Sequence, residues 1–142
     1  MPGVQHTVII AAPPERVWAV VVHVERWPER IPTVEAVERL DDGPLAVCSR
    51  TRLQQPRLAA AVWTVTELSE GSSFTWVSRS SGVTVTGLHA VEPHPEGSRL
   101  TLALTMSGPL SGLAWLLTGS RTRSYVATEA ASIRRAAEAP AA

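Results

Sequence analysis

The 142-residue sequence predicts an α+β domain: a curved antiparallel sheet of about seven strands wrapped on one long C-terminal helix, with two short helices after strand 1. Three observations carry this. Segments of period two, separated by tight turns, fill most of residues 33–107. Two proline-punctuated helical stretches fall between the first such segment and the rest. From Leu110 to about Ala137 the period is helical again. A sheet that curls beneath a straight helix encloses space, so a central cavity is expected.

The elements follow in order. Residues 4–10 are short and β-branched, a first strand. Pro13 and Pro14 suit a first helical turn, Glu15 suits its positive end, and Val17, Val20, Val21 and Val24 recur at helical spacing, giving a helix over about 13–24. Trp27–Pro32 reads as a very short second helix, begun by Pro28 and stopped by Pro32. Six strands follow at 33–41, 45–53, 58–68, 72–79, 83–92 and 98–107, with turns at Asp41–Pro44, Gln54–Arg57, Glu70–Gly71, Ser80–Gly82 and Pro93–Gly97. The short spacing makes them an antiparallel meander. The last helix carries Leu116, Gly119, Val126, Ala130, Ile133 and Ala137 broadly along one stripe and runs about 42 Å. Gly119 is a weak point in its middle, and residues 138–142 read as a frayed tail of a domain spanning 1–142.

Composition narrows the chemistry. Lys+Arg (13) balances Asp+Glu (13), and every basic residue is Arg. Without lysine there is no Schiff base, no pyridoxal-phosphate anchor and no P-loop lysine. A chain with no basic surplus is a poor nucleic-acid binder. The single cysteine, Cys48, excludes an internal disulfide and a thiolate metal cluster, and reads as a small buried hydrophobe. No signal peptide opens the sequence, and the apolar run near Trp115 is too short to span a bilayer, so a cytoplasmic protein without membrane insertion is expected.

AAPPERVWAVVVHVERWPERIP (11–32), VWTVTELSEGSSFTW (62–76), GLHAVEPHPEGSRLTLAL (87–104) and SGPLSGLAWLL (107–117) resemble the START/Bet v 1-like (SRPBCC) superfamily, in its bacterial polyketide cyclase/dehydrase and lipid-transport branch. The resemblance covers nearly the whole chain and implies the helix-grip fold. Members include aromatase/cyclases, carriers of hydrophobic ligands, hormone receptors and co-chaperones. Such a fold does not fix a function.

Residues must therefore be weighed singly. The inward sheet face is the apolar one: Ala61, Trp63 and Val65; Phe74, Trp76 and Ser78; Val83, Val85, Gly87, His89 and Val91; Leu100, Leu102, Leu104 and Met106. The alternation over 33–53 is ambiguous. His89 is the first catalytic candidate, an imidazole on an apolar strand able to act as general acid or base. Gly87 leaves room beside it or marks a bulge. Trp63, Phe74 and Trp76 suit flat cavity walls or ordinary core, whereas Trp18 and Trp27 suit helix packing. Val85 and Leu102 belong to the same binding surface. Trp115 fits either core or a lid. Tyr125, the only tyrosine, stands four residues before Glu129 on one helix face, a proton-handling pair or a plain helix contact. Arg52, with Arg50, holds an enolate or carboxylate if inward, and is a solvated face or a landing patch for an acidic carrier protein if outward. His89, Glu92 and His94 lack metal-site spacing, so neither a metal nor another cofactor is expected.

The resemblance, taken with these residues, implies an enzyme that cyclises or dehydrates a polyketide-like intermediate, with His89, Tyr125 and Arg52 in catalytic roles. The alternative is a carrier or sensor of a lipid or terpenoid, and a co-chaperone-like interaction protein ranks third. The implied partners are a small apolar molecule and an acyl carrier protein, with the protein itself a monomer or homodimer.

Overall fold

The computed structural model describes residues 2–140. Its strands are β1 (Gly3–Ile10), β2 (Ala36–Arg39), β3 (Arg50–Gln54), β4 (Ala61–Ser69), β5 (Ser73–Ser80), β6 (Val83–His94) and β7 (Gly97–Ser107). Its helices are α1 (Pro14–Val22), α2 (Trp27–Arg30) and α3 (Ser111–Glu138), with a 3₁₀ turn at Val24–Arg26. The seven strands form one antiparallel sheet in the order β1-β7-β6-β5-β4-β3-β2. α3 lies along β1, β7 and β6, and α1 and α2 fill the space beside it. This is the helix-grip architecture that the period changes predict.

Local chemistry explains the boundaries. Pro14 opens α1, where its missing N–H costs nothing, and Glu15 sits at the positive end. The β6–β7 turn is tighter than expected. Pro93 and His94 remain in the strand, and only Pro95 and Glu96 bridge it before Gly97, whose φ of 135° brings it against the Ile10 carbonyl. Residues 45–49 do not form a strand, because Gly43 and Cys48 turn left-handed at φ 84° and 77°. The segment instead feeds β4 from the side: Cys48 N–H donates to Val65 O, and Val65 N–H donates to Ser49 O. β4 carries a bulge between Val65 and Glu67 nearby. Cys48 is exposed, contrary to its reading as a buried hydrophobe, because the left-handed backbone sits in this surface loop.

The ambiguous strands resolve simply. Thr51 and Leu53 of β3 are buried, while Arg50 and Arg52 are exposed and pair with Asp41 and Glu38 across the outer surface. Hydrogen bonds from Arg50 hold the Asp41 carboxyl below the usual range. The core joins Val17, Val21 and Val24 with Phe74, Leu100, Val126 and Ile133.

Two readings of α3 need correction. Leu116 is 80% exposed. Ten residues from Val126, it sits about 80° off the buried stripe at 3.6 residues per turn. Thr122 takes its place among the buried positions. Glu138 is no frayed tail: it ends α3 and accepts the Ala11 N–H at 2.8 Å, a bond that lowers its carboxyl below the ordinary range. The remainder of the expected tail includes residues 141–142, outside the described residues.

Candidate functional site

Between the sheet and α3 lies a cavity of about 500 Å³. That is within the range that holds a drug-sized molecule. Its walls come largely from alternate positions of five strands, β3 to β7, which the pleat turns to one face. Gly87 of β6 pairs with Trp76 on one side and Leu104 on the other; His89, two residues on, pairs with Phe74 and Leu102. Trp63, Val85 and Met106 extend the surface, and Tyr125, Val126 and Glu129 of α3 close it.

His89 is the most constrained polar group there. It is 4% exposed, with ring centroids of Phe74, Trp76 and Trp27 at 4.2, 5.6 and 5.7 Å. Its Nε2 lies 3.5 Å from Oε1 of Glu129, and its Nδ1 is buried without a hydrogen-bond partner. The carboxylate lies at ion-pair distance and offsets any positive charge on the ring.

Gly87 is in regular register and marks no bulge. A Cβ there would stand 3.1 Å from Trp76 Nε1 and 3.7 Å from the Trp63 ring. The glycine thus lets both indoles lie flat against β6, 5.5 Å apart. The room it leaves is filled largely by tryptophan.

Of the residues singled out from sequence, His89, Glu129, Tyr125, Trp63, Trp76, Val85, Gly87 and Leu102 meet at the cavity. Three do not. Phe74 is fully buried behind His89 and backs the imidazole without lining the space. Trp115 lies over Gly119, where a Cβ would meet its ring at 2.9 Å, and under Arg123 at 5.4 Å. This packing explains the glycine without weakening α3, which is continuous, and it holds Trp115 outside the cavity lining. Arg52 faces outward, its guanidinium 3.9 Å from Glu38, so it cannot reach a bound molecule inside. Nor does Tyr125 hydrogen-bond Glu129: its hydroxyl donates to the Pro56 carbonyl and ties the β3–β4 loop to α3.

The sequence gives Trp27 to helix packing and does not single out Thr33, yet both line the cavity. Trp27 Nε1 and Thr33 Oγ1 are buried without partners, like His89 Nδ1. Such groups cost about 1–3 kcal/mol each when unsatisfied, so their presence beside the cavity marks a polar patch in an apolar wall. The signal available was the Trp-Pro step itself, which roots a large indole in a helix too short to bury it on its own neighbours. Among the described residues no three His, Cys, Asp or Glu side chains cluster as metal ligands. No described helix is long and apolar enough to cross a membrane.

Solved structures with this arrangement are numerous and distant. TTHA0849 from Thermus thermophilus is 21% identical and superposes with a TM-score of 0.76 over 96% of this chain and 97% of its own. Ara h 8.0201 gives a TM-score of 0.67 at 11% identity, over 93% of this chain and 97% of its own. The di-domain ARO/CYC BexL, from the BE-7585A biosynthetic pathway, gives 0.72 at 20% identity. That match covers 97% of this chain and 47% of BexL. At such identities the likeness shows the fold. No curated protein matches the sequence. The family profile described as "Polyketide cyclase / dehydrase and lipid transport" matches residues 1–138, and the chain belongs to that SRPBCC family.

Proposed function

We propose that the cavity binds a small, apolar, polyketide-like molecule and that His89 with Glu129 moves a proton during its cyclisation or dehydration. The observation that carries this reading is the His89–Glu129 pair, 3.5 Å apart at a tryptophan-lined cavity. In an aldol closure the pair takes a proton from a carbon flanked by carbonyls. The resulting enolate carbon attacks a second carbonyl, and the proton returns to the new alkoxide. In dehydration the pair takes a second proton from the same carbon and delivers it to the departing hydroxyl, which leaves as water while the carbon–carbon double bond forms. The walls hold the flexible chain in a near-attack shape, itself a large rate effect. Tyr125 acts as a positioning residue, holding the loop that covers one side of the cavity.

The surface supports delivery by an acyl carrier protein in the cytoplasm. No acidic residue occurs from 97 to 128, whereas Arg121 and Arg123 lie there. Leu110, Leu113, Leu116 and Leu117, 49–80% exposed, start the same helix. Arg79 lines the cavity from the end of β5. A cationic, apolar face suits an acidic partner.

Native mass spectrometry of gently purified protein tests the reading. A bound apolar molecule that wild type converts and His89→Ala does not establishes the enzyme. A molecule recovered unchanged from wild type overturns the catalytic step and leaves a carrier. A wholly polar ligand overturns both.

A further inference from the structure

The cavity is electrically one-sided. Four charged or chargeable side chains line it: Arg79, His89, Glu129 and Tyr125, whose hydroxyl donates to the Pro56 carbonyl. Arg79 is exposed at the end of β5. Inside, the Glu129 side chain is 19% exposed and His89 6%, 3.5 Å from each other. If His89 is protonated, its charge is matched by Glu129 and the pair sums to zero. If His89 is neutral, an ionised Glu129 stands alone and the interior is negative. Inside, neither state offers a free cation to an incoming anion; the arginine on the lining, Arg79, stands exposed at the end of β5. The other polar groups nearby, the Trp27 indole N–H and the Thr33 hydroxyl, are neutral. An anion entering here sheds its water for neutral dipoles and approaches a like charge, and both effects oppose binding.

We infer that the cavity selects uncharged ligands and rejects carboxylates, and that Glu129 is the residue that discriminates. This rests on the cavity-binding reading above and adds the ligand class. Ligands that must bury a carboxylate beside Glu129 are excluded, whereas the same skeletons bind when the acid is capped as a thioester, ester or amide or when the carboxylate stays outside at Arg79. The Trp27 and His89 region then serves the neutral carbonyl and hydroxyl groups of such molecules.

The test uses an isosteric pair of flat bicyclic probes, 2-naphthamide and 2-naphthoate, titrated at pH 7.5 by protein-observed NMR. With wild type, 2-naphthamide is expected to bind at least about tenfold more tightly, a difference of about 1.4 kcal/mol. Glu129→Gln should narrow the ratio to below about threefold by gaining affinity for 2-naphthoate. Equal or tighter binding of 2-naphthoate by wild type overturns the inference while leaving the cavity reading intact. A preference that Glu129→Gln leaves unchanged overturns the role of Glu129. Binding of neither probe overturns the cavity reading and this inference with it. The wild-type comparison decides the sign even if the variant does not fold.

Discussion

His89 on β6 and Glu129 on α3 face each other with Nε2 and Oε1 3.5 Å apart, although 40 positions separate them in the chain. The pair is formed only because α3 packs over β6 at this rotation. It removes two polar side chains largely from water at the edge of a tryptophan cluster, and such burial carries a desolvation cost.

That cost is measurable. Replacing both residues by leucine should leave the protein as stable as wild type or more so, by up to about 4 kcal/mol in urea unfolding, while abolishing any turnover. A double variant markedly less stable than wild type would make the pair a structural fastener.

Gly87→Ala should reduce binding of flat aromatic probes at least several-fold and cost about 1–3 kcal/mol of stability. The new methyl stands 3.1 Å from Trp76 Nε1 and forces that indole into the cavity. Titration and unfolding of the same sample check both effects. Unchanged probe affinity would show that Trp76 yields elsewhere.

Tyr125→Phe removes the hydrogen bond to the Pro56 carbonyl and nothing else in the cavity wall. A stability loss of about 0.5–1.5 kcal/mol is expected. Amide exchange should quicken at Leu58, whose N–H donates to Gln55 O within the same loop. Exchange that quickens throughout the molecule would place the effect in global stability and not in the loop.

Acid should unfasten α3 from the β1–α1 turn. The folded Glu138 carboxyl lies below the usual value of 4.5, chiefly through the Ala11 N–H. Its contribution is therefore complete above the unfolded value and fades as pH falls through the lower, folded one. Glu138→Gln should lower the urea midpoint at pH 7 and match wild type in strong acid. A difference independent of pH would contradict this.

Much of the fold is legible in the sequence, because pleat and helix periods are local. The inward row Val85-Gly87-His89 and its neighbours Trp76 and Leu102 follow from alternation alone. The site is less legible because its contacts are not local. Helix spacing offers Tyr125 as the partner of Glu129, yet the tyrosine reaches Pro56 and Glu129 reaches His89. Alternation over β3 cannot choose a face while Thr51 and Leu53 oppose Arg50 and Arg52 with similar patterns. The pairing with β4 decides it by setting Thr51 opposite Trp63. Trp115 resembles a cavity residue by type, and only its fit over Gly119 removes it.

The position of β1 has a consequence for how the protein is made. β1 is an edge strand paired with β7 alone, residue 3 opposite 105 and residue 10 opposite 98, and it is also packed by α3. On the ribosome its apolar residues emerge before the other six strands, and their partner β7 is the last of those to appear. At synthesis rates of roughly 5–20 residues per second, the wait lasts on the order of 5–20 seconds. Until then the rest of the meander can zip by hairpins, but neither the sheet nor the grip of α3 can close. The chain therefore completes its fold only after nearly all of it has been translated.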